Sequence, residues 1–249
     1  MYLTAGLPMD TARWVEQWPV IMRNVIDACA VHSARLVYFD NTYMYPQTSE
    51  AQSEEIRFEP NGDKGKVRAQ IANELLLAME SEKVNAVICR APEFYGPGKT
   101  QSITNATILN KFCNSERASV FISDNTLRTL IYTPDASQAM ALIGNTDDAY
   151  GQTWHLPCDD NRMTYKHIIA LSESILGRPC HYRIVKQWQL KLAGLFNRQV
   201  RDAQELLPRY YCDNLFVSDK FKTRFPTFKV TPYSEGLRQV LLQETSGQN

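Results

Sequence analysis

The stretch of this 249-residue chain whose spacing most suggests chemistry is Glu93-Phe-Tyr-Gly-Pro-Gly98-Lys99-Thr100. It ends in the G-K-T of a phosphate-binding loop, and its surroundings read as strand before and helix after. The chemistry does not follow. Glu93 would turn a negative charge on phosphate oxygens, and Pro97 removes an N–H from any cradle. The segment reads as a tight turn. His155 and Cys158 form a lone H-x-x-C, and His32, His167 and His181 lack ligand spacing, so no metal site is expected. His155, on a predicted strand, reads as a packing residue with its polar atoms satisfied. There is no G-x-S-x-G elbow for a serine nucleophile. The 11 glycines form neither G-x-x-G-x-x-G nor G-x-G-x-x-G. Residue types and spacing alone stop at an α/β protein.

The elements that would position such residues alternate. Asp10 is placed to cap a helix with Trp14, Trp18, Ile21, Val25 and Cys29 three or four apart. Pro19 should kink that helix or mark its first turn. Residues 35–40 read as a buried parallel strand, 46–63 as a surface loop, 64–82 as a long helix and 85–90 as a second strand. Further strands are expected at 119–122, 127–132, 153–156 and 181–185. Helices are expected around 103–112, 135–143, 164–176, 187–196 and 202–207, and after Thr231-Pro232. Alternation of this kind means a mostly parallel sheet with helices on its faces.

Composition bounds the class. Hydrophobic residues make up 44% and charged residues 22%, with 27 Lys+Arg against 27 Asp+Glu. That supports one large domain, or a domain and a half, with a buried core. A zero net charge argues against nucleic acid or an anionic membrane as the main partner. No apolar run approaches the roughly 20 residues a spanning helix needs. Six dispersed cysteines and the absence of a signal-peptide pattern place the chain in the cytoplasm.

Six segments, in order, resemble the NAD-dependent epimerase/dehydratase family of extended short-chain dehydrogenases/reductases. They are Tyr2-Leu-Thr-Ala5-Gly6-Leu7, the helix segment Pro19 to Val25 with Asn24, and Leu36-Val-Tyr-Phe-Asp40-Asn41-Thr-Tyr-Met44-Tyr45. Arg90-Ala-Pro92-Glu93-Phe-Tyr95-Gly96-Pro97, Arg128-Thr-Leu-Ile-Tyr132-Thr-Pro-Asp135-Ala136 and Tyr233-Ser-Glu-Gly236-Leu237 complete the set. The resemblance implies a Rossmann-type sheet with helices on both faces. It assigns 1–125 to a partial NAD(P)-binding domain and 126–249 mostly to a small C-terminal substrate-binding α/β lobe. The sequence as given begins at the family's fourth strand, so the glycine loop that anchors the pyrophosphate is not in it. An internal methionine taken for the start is the favoured explanation.

By the same resemblance, Ala5, Gly6, Leu7, Asn24, Arg68 and Pro92 contact NAD or NADP, weakly held or lost without the loop. Glu93, Tyr95 and Arg128 contact a nucleotide-sugar-like substrate, with Arg128 on its diphosphate. The family's catalytic Ser/Thr falls on Asn41 and its Tyr-x-x-x-Lys on Lys64 to Arg68. Lys64 as acid/base and Arg68 as ribose holder are the substitutes this alignment offers. Tyr43 and Tyr45 stand near enough in sequence to supply a phenol. The function implied is an NAD(P)-dependent epimerase, dehydratase or reductase with an atypical site. The alternative is a non-catalytic nucleotide-sugar-binding or regulatory protein. A homodimer is implied through the helices at 10–31 and 64–82, where Trp14, Trp18, Met22, Leu75 and Met79 offer surplus apolar surface. The strand at 35–40 is expected to need a neighbour at its outer edge.

Overall fold

The computed structural model describes residues 1–98 and 100–246; Lys99, the lysine of the loop-like segment, lies outside the described residues. Strands β1 (Tyr2–Leu3), β2 (Leu36–Asp40), β4 (Ala86–Arg90) and β9 (Thr153–His155) form a parallel sheet in the order β1-β2-β4-β9. Tyr2 pairs with Val37 and Leu3 with Tyr38, so part of the outer edge of β2 is covered by the chain's own first residues. Helix α1 (Thr11–Val31) is capped by Asp10, whose carboxylate accepts the Arg13 N–H at 3.0 Å. It starts at Thr11 and runs through Pro19. Helix α2 spans Gly62–Glu80 and α4 spans Thr133–Gly144.

Side-chain alternation along β2 explains the layers. Leu36 and Tyr38 face α1 and α2, among Trp14, Trp18, Met22, Ile71 and Leu75. Val37 faces α4, among Ala139, Met140 and Ile143, with Trp154 and Phe221 beyond. Both faces are therefore apolar, as a doubly covered parallel sheet requires. This corrects one expectation. Trp14, Trp18, Met22 and Leu75 are buried beneath α1 and α2, so they are not spare surface for a dimer.

A third core gathers helices α5 (Tyr165–Leu176) and α9 (Tyr233–Ser246) with the parallel pair β6 (Ala118–Phe121) and β11 (Tyr182–Val185). It also takes in the π-turn Asn105–Leu109 and α3 (Asn110–Cys113), where the sequence predicts one regular helix. Smaller pairs tie the regions together. They are β3 (Ala51–Gln52) with β12 (Leu215–Phe216), β5 (Glu93–Tyr95) with β8 (Leu130–Tyr132), and β7 (Leu127–Arg128) with β10 (Met163–Thr164). Helices α6 (Gln187–Phe196) and α7 (Arg198–Ala203) lead into a 3₁₀ segment, Gln204–Tyr210, that returns to the sheet's carboxyl end. Helix α8 covers Asp219–Arg224. No helix among the described residues is long and apolar enough to cross a membrane.

Candidate functional site

Parallel strands that all point one way leave their loops at one end, and ligand crevices form there. A cleft of about 350 Å³ opens at that end here. Thr4–Leu7 after β1, Asn41–Tyr43 after β2 and Pro92–Phe94 after β4 line it, with Arg68 below and Arg209 arriving from the 3₁₀ segment. Of the residues the sequence singles out, Ala5, Gly6, Leu7, Asn41, Arg68, Pro92 and Glu93 come together on this cleft. Asn24, Lys64, Tyr95 and Arg128 do not.

Each of those four has a physical reason. Asn24 is exposed because α1 turns Met22, Ile26 and Cys29 to the core, leaving residue 24 on the outer side. Lys64 is fully buried, and its ammonium donates to Thr11 Oγ1 at 2.5 Å, Asp202 O at 2.6 Å and Glu205 Oε1 at 2.6 Å. Three acceptors use its three donors. Gly62, at φ +77°, makes this approach possible, since a Cβ there would collide with the Glu205 carboxylate. Tyr95 packs in the third core, its ring 5.8 Å from Tyr233. Arg128 is buried, donating to Glu93 Oε2 at 3.1 Å and Arg209 O at 2.7 Å and lying over the Tyr210 ring. Its guanidinium serves a carboxylate of this chain where the resemblance implies a diphosphate.

On the cleft floor Arg68 is equally committed. Its Nη2 donates to Asp40 Oδ1 at 2.6 Å, and its guanidinium lies 4.7 Å from the centre of the Trp18 ring. Asp40, the last residue of β2, also accepts from Arg90 Nε at 3.0 Å and the Asn41 N–H at 2.8 Å. From Arg90 the network runs to Tyr45 Oη at 2.8 Å and on to His155 Nε2 at 2.7 Å. His155 Nδ1 lies 2.7 Å from the Val217 carbonyl, which makes that nitrogen the donor and leaves Nε2 to accept from Tyr45. His155 is thus the satisfied packing residue its sequence setting suggests. Burial lowers its pKa to about 3, so it is neutral.

Asp40 is the residue that sequence reasoning missed. The alignment puts the catalytic hydroxyl on Asn41 and passes over the carboxylate beside it. Asn41 itself spends its side-chain oxygen on the Tyr43 N–H at 3.0 Å, holding the turn after β2. Arg209, also missed, lies 4.5 Å from the Tyr43 ring centre and has no carboxylate partner among the described residues. Tyr43 stacks on Trp14 at 5.9 Å with 19° between planes. Burial pushes its phenol pKa up, with the Arg209 charge opposing, so at neutral pH it is a neutral phenol. A tyrosinate base would need the opposite shift.

The chain's own residues do not fit a nicotinamide cofactor in the way the alignment implies. The position meant to hold its ribose, Arg68, is closed by Asp40 and an aromatic face, and the acid/base position, Lys64, is closed by Glu205. No cluster of potential metal ligands occurs among the described residues.

Comparison with known proteins bears on the fold. No curated sequence matches the chain. Among solved structures, UDP-glucuronic acid 4-epimerase from Bacillus cereus in complex with NAD superposes with a TM-score of 0.77 at 14% identity, over 99% of this chain and 73% of that one. RMD from Pseudomonas aeruginosa complexed with NADPH gives 0.76 at 14% identity, over 98% and 80%. UDP-glucose 4-epimerase from Thermus thermophilus, complexed with NAD, gives 0.73 at 14%, over 100% and 78%. Identities this low establish a shared Rossmann-type architecture. A profile of the NAD dependent epimerase/dehydratase family matches residues 12–155, which hold α1, α2, the last three strands of the sheet and most of the cleft. That match covers more than half of the sequence, so the chain belongs to the NAD-dependent epimerase/dehydratase family.

Proposed function

We propose that the chain is a binding member of this family, which takes an anionic, nucleotide-sugar-like ligand in its cleft and does not transfer hydride. One contrast carries the reading. The cations at the family's catalytic positions, Lys64 and Arg68, are closed into ion pairs, whereas Arg209 at the cleft is open. A guanidinium without a carboxylate partner suits a phosphate or diphosphate, which it can grip through two parallel N–H bonds. The stacked Tyr43 and Trp14 rings give an apolar wall beside it. Two arginines share Asp40, so the floor carries a net positive charge that favours the same ligand. The epimerases of like fold, named for UDP-sugars, support this ligand class.

The reading is tested by calorimetric titration with UDP-glucose, UDP and NAD, alongside a turnover assay with NAD and nucleotide sugar together. The expectation is binding of the nucleotide sugar, weak binding of NAD, no interconversion, and affinity lowered roughly tenfold or more in Arg209→Gln, as loss of a charge-assisted bond predicts. Turnover by the purified chain would overturn the non-catalytic assignment. Absence of any nucleotide-sugar binding at millimolar ligand would overturn the ligand class.

A further inference from the structure

Helix α6 shows an apolar face to solvent. Leu190 and Gly194 point inward, where a Cβ on residue 194 would collide with Gln204 Nε2, and the Gln204 amide donates to Leu190 O at 3.1 Å. On the other side Trp188, Leu192, Leu195 and Phe196 are 65%, 52%, 74% and 88% exposed. At 3.6 residues per turn these four fall within roughly 100° of one another, a single stripe. Large apolar residues grouped in this way on an exposed helix mark an interaction surface.

The charge around the stripe identifies the occupant. From Lys186, the N-cap of α6, to Arg201 in α7 the chain carries four basic side chains, Lys186, Lys191, Arg198 and Arg201, and no Asp or Glu. Two of the four have acidic neighbours: Arg198 reaches Asp10 and Asp202, and Arg201 reaches Asp202. Lys186 and Lys191, at the start and middle of α6, have no acidic partner among the described residues. The balanced total of 27 against 27 conceals this local excess.

We infer that α6 is a docking helix for an anionic lipid surface, lying in the headgroup plane with Trp188, Leu192, Leu195 and Phe196 inserted. A helix with an aromatic and leucine stripe flanked by lysines, here Lys186 at the N-cap and Lys191 within the helix, is the form such peripheral contacts take. A second copy of the chain fits less well. Facing two such stripes across a two-fold axis would gather the cations of both copies with no Asp or Glu between residues 186 and 201 to meet them, and like charges disfavour that pairing.

Trp188 provides the probe, because Trp14, Trp18 and Trp154 are buried at 5%, 2% and 4% exposure. Full-length protein is mixed with vesicles of phosphatidylcholine alone, or of phosphatidylcholine and phosphatidylglycerol in equal parts. The expected result is co-sedimentation, a blue shift of Trp188 emission and protection from iodide only with the anionic vesicles. Replacing Leu195 and Phe196 by serine should lower vesicle affinity more than tenfold, and Lys186→Gln or Lys191→Gln about fivefold each. All four residues are exposed, and unchanged thermal unfolding verifies that each variant is folded. Unchanged Trp188 emission with anionic vesicles overturns the inference. So does Trp188 protection that needs no lipid and tracks a monomer–dimer equilibrium in sedimentation, which would assign the face to a second copy.

Discussion

Two buried carboxylates near the carboxyl ends of β2 and β4 solve the same electrostatic problem differently. Asp40 is met by two guanidinium groups, a backbone N–H and, at 3.3 Å, the Tyr38 hydroxyl, and Arg68 and Arg90 each lie over aromatic faces. Glu93 is met by one guanidinium, that of Arg128, and by three hydroxyls on its other oxygen. Those donors are Thr104 at 3.1 Å, Tyr165 at 3.1 Å and Tyr210 at 3.2 Å. The first cluster keeps a positive charge beneath the cleft; the second is electrically balanced. A buried ion pair adds little over a well-packed apolar one, yet leaving one partner alone is expensive. The Asp40 side is therefore the brittle one, because two buried cations depend on its carboxylate and only one depends on that of Glu93.

The largest expected effect tests that asymmetry. Asp40→Ala strands two buried arginines, and a loss of about 3–5 kcal/mol of stability is expected. Glu93→Ala strands one buried arginine, Arg128, and should cost less, about 3 kcal/mol, the low end of the same range. Arg128 keeps the Arg209 carbonyl, and Thr104 and Tyr165 remain 3.1 Å apart and able to bond each other. Urea unfolding of both variants, with equal m-values, measures the difference. Equal losses, or a larger one at Glu93, would break the comparison.

The same contrast shows what was legible beforehand. The strands at 36–40 and 86–90 and the helices 11–31 and 62–80 follow from local periodicity, and the family resemblance follows from ordered short segments. What a side chain pairs with across the fold does not follow. Lys64 and Glu205 are 141 residues apart, and Arg128 and Glu93 are 35 apart. Periodicity carries no information on such partners, so Lys64 and Arg128 read as free to act when both are occupied. Trp14 and Trp18 read as surplus for a similar reason. Their burial depends on α2 and on Arg68, which presents a cationic face to both rings.

Acid should reach the two clusters unequally. Burial holds His155 at a pKa of about 3 against an ordinary 6.5, so the folded protein keeps it neutral while the unfolded chain protonates it. Below pH 6.5 the unfolded state binds more protons, and stability falls by about 1.4 kcal/mol per pH unit until the pH nears 3. Between pH 6.5 and 5 the loss from this residue is about 2 kcal/mol. It falls on the Asp40 side, through Tyr45 and Arg90. His155→Asn should flatten the slope of stability against pH in that window. A slope unchanged by the substitution would remove His155 from the account.

The smallest effect probes the redundancy at Glu93. Thr104 is buried, and its hydroxyl stands 3.1 Å from Glu93 Oε1 and 3.1 Å from the Tyr165 hydroxyl. In Thr104→Val the shape is nearly kept, so no cavity term enters, and one hydroxyl among three is lost. Tyr165 still donates to Glu93, and Tyr210 is untouched. The cost should stay within about 1 kcal/mol, the ordinary net value of one hydrogen bond. Tyr45→Phe sets the scale on the other side. It removes the one hydroxyl between Arg90 Nη1 and His155 Nε2, leaving a buried charged donor and a buried acceptor unmatched. It should cost about 2 kcal/mol or more, because both partners are stranded at once. Denaturant midpoints for the two variants decide the matter. If Thr104→Val proves as damaging as Tyr45→Phe, the three hydroxyls act as one network, and Glu93 is as finely balanced as Asp40.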